Sequence, residues 1–185
     1  AKHDVRHHIT LMKKYLEDKN YDALNEYLNN YQKSIPDEHI FFCENSAVNA
    51  ILSYFSGQAR TFGITYTVSA SIPKHISISE TDLSILFGNL LENAIDACNA
   101  QSGDDKKIIV RAKTDNHSLC VTIDNTFSGS LNIDQEGHFV SSKHEGLGLG
   151  TESIKSIAEK YGGVCQFEAN NGMFYASVMC FKDHA

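Results

Sequence analysis

The stretch LFGNLLENAIDAC, residues 86–98, has the pattern of a buried helix that carries one polar stripe. At helical spacing its polar side chains share an arc of about 100°, and they are Asn89, Glu92, Asn93 and Asp96. Such a stripe usually faces solvent, but solvated faces favour Lys, Arg and Glu, whereas asparagine is a poor helix former. Amide and carboxylate oxygens on one face also suit a partly hydrated Mg²⁺. The stripe is therefore either a solvated surface or a cation site.

A second segment, HEGLGLGTESIK at 144–155, places Gly146, Gly148 and Gly150 directly before a helical pattern. Glycine lets backbone N–H groups approach an anion, and a helix N-terminus adds favourable partial charge. The alternative is a flexible loop, because glycine triplets alone are a weak signal. The missing GK[ST] ending excludes a Walker loop, and no strand leads into the segment as in a Rossmann turn. The preceding 126–147 lack periodicity, which is typical of a lid, and Lys143 offers a charge to a phosphate there.

Composition limits the function classes. The chain has 185 residues, 42% of them hydrophobic, which suits one moderate domain with a small appendage. Its net charge of −7 argues against a broad nucleic-acid surface, so we expect no nucleic-acid partner. No signal peptide and no apolar run of about 18 residues is visible. The five scattered cysteines lack a CxxC pair, which indicates buried thiols in a reducing compartment rather than disulfides or a zinc knuckle.

The first 35 residues predict two amphipathic helices around the polar break EDKN at 17–20. So short a connection favours an antiparallel hairpin. Because a hairpin of this size buries little by itself, we expect it to pair with a second copy in a four-helix bundle. Pro36 marks the boundary to the second part of the chain.

The remaining patterns predict an α+β fold, with an antiparallel-rich sheet and helices on one face. Asp115-Asn116 and Asn171-Gly172 mark two hairpin turns. The elements in chain order are a helix at 45–62, a strand at 64–72, a helix capped by Ser79 with Asp82 and reaching about Gln101, strands at 106–114 and 117–125, a helix ended by YGG at 161–163, and strands at 164–170 and 173–181.

Taken in this order, the segments resemble the ATP-binding domain of the GHKL superfamily, which includes gyrase, Hsp90, histidine kinases and MutL. NLLENAIDA is similar to the N-box and GLGLGT to the G2 box. YGG after the G2 helix, and the hairpin beginning KHDVRHH, look like bacterial sensor histidine kinases of the branch that includes peptide-pheromone receptors. The resemblance covers nearly the whole chain. It implies a helical dimerisation and phosphoacceptor hairpin at 1–36, followed by an α/β-sandwich GHKL (Bergerat) ATP-binding catalytic domain at 37–185.

The resemblance also implies site residues for ATP and Mg²⁺. Asn93 would coordinate Mg²⁺ with Asn89 beside it, and Lys143 would lie in the lid. The G1 box departs from the family, because Asn125 aligns with the aspartate that accepts from the adenine amino group, and an asparagine oxygen accepts without charge. The implied ATP-binding residues are Asn89, Asn93, Asn125, Lys143, Gly146, Gly148, Gly150 and Thr151.

His3 is the candidate phosphoacceptor, and Asp4 follows it directly. If Val5 and its helical repeats form the buried stripe, His3 lies on the opposite, solvent-facing side. A neutral imidazole is nucleophilic at Nε2 when an acceptor holds its Nδ1 proton, and Asp4 is the candidate for that acceptor. The alternatives are a plain surface pair, or a metal site with His7 that lacks a third ligand. Relatives often carry Asn or Thr where His7 stands, so phosphatase activity is left open.

The function implied is ATP-dependent autophosphorylation on His3, followed by transfer to a response-regulator aspartate in two-component signalling. The hairpin would make a homodimer, and the chain would be the cytoplasmic part of a receptor whose membrane helices lie upstream of Ala1. Two alternatives remain. One is a non-catalytic phosphorelay module with a degenerate ATP site, and the other is a GHKL ATPase or serine kinase.

Overall fold

The computed structural model describes residues 2–33, 40–128 and 149–181, with side chains at 8–28, 40–128 and 150–181. The chain divides into two units, Ala1–His39 and Ile40–Ala185. The predicted boundary at Pro36 lies outside the described residues.

The first unit consists of two helices, α1 (Lys2–Glu17) and α2 (Tyr21–Lys33). The two helices contact each other, and the Tyr27 hydroxyl of α2 shares a hydrogen bond with His8 Nδ1 of α1. The rings of Tyr15 and Tyr27 also lie 6.1 Å apart between centroids. The two predicted helices and the break between them are confirmed, whereas pairing with a second copy stays a prediction.

The second unit is built on one five-stranded mixed sheet. The strands are β1 (Thr65–Ser71), β2 (Lys107–Thr114), β3 (Ser118–Thr126), β4 (Val164–Asn170) and β5 (Met173–Phe181). Their order in the sheet is β1-β2-β3-β5-β4, and all neighbouring pairs are antiparallel except β1 with β2. Asn171 (φ 50°) and Gly172 (φ 75°) form the left-handed turn of the last hairpin, as predicted.

Three helices of this unit pack on one face of the sheet: α3 (Ser46–Thr61), α4 (Glu80–Asn99) and α5 (Leu149–Lys160). The predicted cap of α4 is present, since the Asp82 amide donates to Ser79 Oγ at 3.1 Å. The helix ends at Asn99 rather than at the predicted Gln101. Because α4 runs between β1 and β2, it is the crossover that makes this strand pair parallel.

The core lies between the helices and the sheet. The apolar face of α4 is buried, as are three residues of α5, the tyrosine that follows α5 and three of the five cysteines; these residues are Leu83, Leu86, Phe87, Leu90, Leu91, Ala94, Ile95, Ile154, Ile157, Ala158, Tyr161, Cys43, Cys98 and Cys180. The α+β architecture predicted from the sequence is confirmed. Among residues 2–33, 40–128 and 149–181, no helix is both long and apolar enough to span a membrane.

Candidate functional site

The polar stripe of α4 lies at the surface of the second unit. Glu92 and Asn93 are exposed, and Asn89 and Asp96 are half-buried. Asn89 Nδ2 donates to the Ile85 carbonyl at 2.9 Å, which leaves Asn89 Oδ1 available as an acceptor. In the part of the chain that the structure describes, no protein group hydrogen-bonds the Asn93 side chain. The stripe therefore presents amide oxygens that the fold itself does not use.

The first turn of α5 lies directly against this stripe. A Cβ built on Gly150 would lie 3.2 Å from Asn89 Oδ1 and 3.6 Å from both amide atoms of Asn93. A side chain at this position would be in tight contact with Asn89. Gly150 and Thr151 both lie in this first turn, where helical N–H groups have no intrahelical acceptor. The N-terminus of α5 thus lies beside amide oxygens of α4, an arrangement suited to an anion bound together with a hard cation.

Asn125 of β3 points toward the helices. It is 2% exposed and belongs to the buried face of the strand, with Val121 and Ile123. Its neighbour Asp124 lies on the opposite face, where it pairs with Arg111 at 2.6 Å. The strand alternation therefore agrees with the alignment that gives Asn125, rather than Asp124, the G1 position.

The orientation of the Asn125 side-chain amide follows from the hydrogen bond that it makes with the backbone. Asn125 Nδ2 donates to the Thr126 carbonyl at 2.9 Å. Because a carbonyl only accepts, the atom facing it must be the NH₂ group. Among the described residues Oδ1 has no hydrogen-bond donor, so Asn125 offers a neutral acceptor to a ligand on the helix side of the sheet.

The thiol of Cys98 holds the end of α4 against the sheet beside Asn125. Cys98 Sγ donates to the carbonyls of Lys107 and Thr126, both at 3.5 Å. Burial raises the pKa of this thiol, so it stays protonated at neutral pH. The sequence marked Cys98 as a core residue but gave no sign of this contact.

A polar cluster joins the start of α4 to the end of α5. Asp82 Oδ2 accepts from Lys160 Nζ at 2.7 Å, from Tyr161 Oη at 2.6 Å and from Ser79 Oγ at 2.6 Å. These hydrogen bonds, with that of Lys160 strongest, lower the pKa of Asp82 to about 2. Asp82 was predicted as a capping residue only, because no local spacing relates it to residues so distant in the sequence.

The remaining predicted residues fall outside what the structure describes. Lys143, Gly146 and Gly148 are not among the described residues. His3 and Asp4 lie in the backbone of α1, but their side chains are not described. Of the predicted site, the structure brings together Asn89, Asn93 and Gly150, which Thr151 follows in α5, and it places Asn125 on the same side of the sheet.

Comparisons with known proteins agree with this geometry. A family model described as a GHKL domain matches residues 78–180, more than half of the chain. No curated protein matches the sequence.

Solved structures of histidine kinases share the fold. The nucleotide-free catalytic domain of histidine kinase ThkA is 20% identical with a TM-score of 0.57, over 74% of this chain and 91% of that one. The mycobacterial sensor histidine kinase MprB is 18% identical with a TM-score of 0.54, over 73% and 93%. Histidine kinase AdeS of Acinetobacter baumannii is 13% identical with a TM-score of 0.56, over 98% of both chains.

Proposed function

This chain belongs to the GHKL domain family, whose members bind ATP, usually with Mg²⁺, and from that premise we propose that it is the cytoplasmic region of a sensor histidine kinase. The proposal rests mainly on one observation, the close approach of Gly150 to Asn89 and Asn93. In this proposal 37–185 bind Mg-ATP, and the hairpin of 1–36 carries the phosphoacceptor His3.

The triphosphate would lie where the two helices meet. Asn93, with Asn89 beside it, would hold Mg²⁺, which supplies charge neutralisation to the phosphates when bound. The backbone N–H groups of Gly150 and Thr151, in the first turn of α5, would bind phosphate oxygens. We expect Lys143, Gly146 and Gly148 to complete the phosphate site from the lid.

The base would lie against Asn125. Since its NH₂ group is engaged by the Thr126 carbonyl, the remaining Oδ1 accepts from the exocyclic amine of adenine. Guanine presents a carbonyl at the equivalent position and would place two acceptors face to face. A neutral acceptor lowers the strength of this contact compared with an aspartate, but it keeps the preference for adenine.

The chemical step is transfer to His3. Its Nε2 would attack the γ-phosphorus, a phosphorus–nitrogen bond would form, and the bond to the β–γ bridging oxygen would break with ADP as leaving group. Asp4 would orient the imidazole and take up its Nδ1 proton. The phosphoryl group would then pass to an aspartate in the receiver domain of a response regulator.

Exposed apolar side chains on the first unit support dimerisation through the hairpin. Ile9 is 47% exposed, Leu16 51%, Tyr21 61% and Leu28 40%. A second copy that covers these side chains in a four-helix bundle would remove them from water. By the resemblance to peptide-pheromone receptors, membrane helices would precede Ala1.

The test is incubation of the chain with Mg²⁺ and γ-labelled ATP. We expect acid-labile, alkali-stable label on the protein, together with a thermal shift on addition of Mg-ATP. The absence of any nucleotide-dependent shift would favour the relay module, which the uncharged Asn125 makes the second candidate. Acid-stable label, or turnover of ATP without label on the protein, would instead establish a serine kinase or an ATPase.

Gly150→Ala is expected to weaken Mg-ATP binding about tenfold, because the new Cβ would lie 3.2 Å from Asn89 Oδ1 and displace it beside the proposed phosphate and metal site. The melting temperature should change by no more than about 3 °C, since the contacting atoms are side-chain ends that can move. Isothermal titration and thermal denaturation measure the two effects. Gly57→Ala is the matched control, because in the part of the chain that the structure describes nothing beyond the local helix backbone lies within 4 Å of a Cβ there. Equal affinities of both variants would contradict the prediction.

A further inference from the structure

The two helices that form the proposed phosphate site run side by side in opposite directions. Near the start of α4, Asp82 contacts Lys160 and Tyr161 at the end of α5. In the middle of α4, Asn89 faces Gly150 at the beginning of α5. A polar cluster therefore joins the two helices at one end, and the proposed phosphate site lies between them at the other.

The polar cluster is unusually complete for a contact between two helices. One oxygen, Asp82 Oδ2, accepts from Lys160, Tyr161 and Ser79, all within 2.7 Å. Tyr161 Oη in turn accepts from the Ser79 amide at 3.0 Å. The Tyr161 side chain is 2% exposed. Its hydroxyl therefore lies inside the cluster, where it both donates and accepts a hydrogen bond within the protein.

The end of α5 is also tied to the sheet. The Phe181 amide of β5 donates to the Tyr161 carbonyl at 2.9 Å. Gly163 approaches β5 so closely that an added Cβ would lie 1.8 Å from the Met179 carbonyl oxygen. A helix is a stiff rod that rises about 1.5 Å per residue, so fixing its last turn also fixes where its first turn lies along α4.

We propose that Asp82, Lys160 and Tyr161 are positioning residues that set the axial position of α5 and thereby hold its first turn over Asn89 and Asn93. This inference rests on the proposed function, because it assigns the purpose of the positioning to phosphate binding. None of the three touches the proposed nucleotide; they act through α5. If these residues only stabilised the fold, replacing them would lower stability and would change the affinities for ATP and for adenosine by the same factor.

The variant that isolates the effect is Tyr161→Phe, which keeps the buried ring and removes the hydroxyl. Binding of Mg-ATP should weaken roughly tenfold, since displacements near 1 Å at a site have effects of this size or larger. Binding of adenosine, which reaches only the base position at Asn125, should stay within about twofold. Lys160→Met should also weaken binding of Mg-ATP. Lys160→Arg should bind Mg-ATP nearly as well as the unaltered chain, because it keeps a cationic donor.

A second measurement needs no nucleotide. Hydrogen exchange of the amides at 153–157 should become faster in Tyr161→Phe, while exchange in α3 should not change. Val48→Ala is the control for general loss of stability, because Val48 is fully buried in α3 and lies outside the cluster. It should lower the melting temperature while leaving the affinity ratio of ATP to adenosine unchanged.

The outcomes separate this inference from the proposed function. If the unaltered chain binds Mg-ATP and Tyr161→Phe binds it equally well with unchanged exchange, the positioning role is overturned and the kinase proposal stands. If affinity for ATP and adenosine falls equally in Tyr161→Phe, the cluster is structural only. If the unaltered chain does not bind Mg-ATP, both proposals fall together.

Discussion

Asn93→Ala is expected to abolish binding of Mg-ATP and transfer of label, whereas His3→Ala should abolish label alone. Asn93 is exposed and makes no protein hydrogen bond among the described residues, so the fold does not depend on its amide. Its loss would remove the proposed direct metal ligand. Replacing a residue that only orients a metal-coordinating side chain lowers metal affinity about 10- to 100-fold. Because Asn93 would coordinate the metal directly, we expect its loss to lower the affinity for Mg-ATP about 100-fold or more.

The measurements are titration with Mg-ATP and quantification of acid-labile label from γ-labelled ATP. Asn99→Ala is the matched control, since it makes the same change in the same helix six residues after Asn93, about 9 Å further along the axis and about 120° around it from Asn93. The melting temperature of Asn93→Ala without nucleotide should equal or slightly exceed that of the unaltered chain, because alanine is the better helix former. Labelling retained in Asn93→Ala, or binding lost in His3→Ala, would contradict the assigned roles.

The features that could be predicted from the sequence are those fixed by nearby residues. The polar stripe of α4 and its cap at Ser79 follow from helical spacing and from one side-chain bond to the Asp82 amide. The last hairpin follows from Asn171-Gly172, two residues that tolerate positive φ. In each case the energy that decides the conformation comes from within a few residues along the chain.

The features that were missed depend on distant residues. The parallel pairing of β1 with β2 was not predicted, although a strand, a long helix and a second strand are the usual signature of such a crossover. The hydrogen bonds from Lys160 and Tyr161 to Asp82 join residues 78 and 79 positions apart in the sequence, and no periodicity encodes them. The approach of Gly150 to Asn89 was expected only through the family resemblance, since sequence spacing within each helix does not say which helices are neighbours.

The two glycines that end α5 show the same division between local and distant causes. Gly162 has φ 63° and ends the helix in the left-handed conformation that a C-terminal glycine supplies. Gly163 does not have a positive φ, so conformational freedom does not explain it. A Cβ on Gly163 would lie 1.8 Å from the Met179 carbonyl oxygen and 2.7 Å from its carbon. Its role is close packing of the chain against β5.

Gly163→Ala is therefore expected to be the most destabilising single-methyl change in this part of the fold. The contacting atoms are backbone atoms of a paired strand, so relief requires β5 or the end of α5 to move, at a cost of about 3 kcal/mol or more. For a chain of this length the melting temperature should fall by roughly 10 °C. Thermal and urea denaturation measure the loss.

The matched control is Gly88→Ala in α4, where, among the described residues, no atom outside the local helix backbone lies within 4 Å of an added Cβ. Removing a helical glycine there should raise stability by about 0.5–1 kcal/mol. Equal melting temperatures for the two variants would show that β5 yields to the methyl group at little cost. Because the same contact fixes the end of α5, Gly163→Ala should also reduce Mg-ATP binding at temperatures where the chain is still folded, and Gly88→Ala should not produce a loss of that kind.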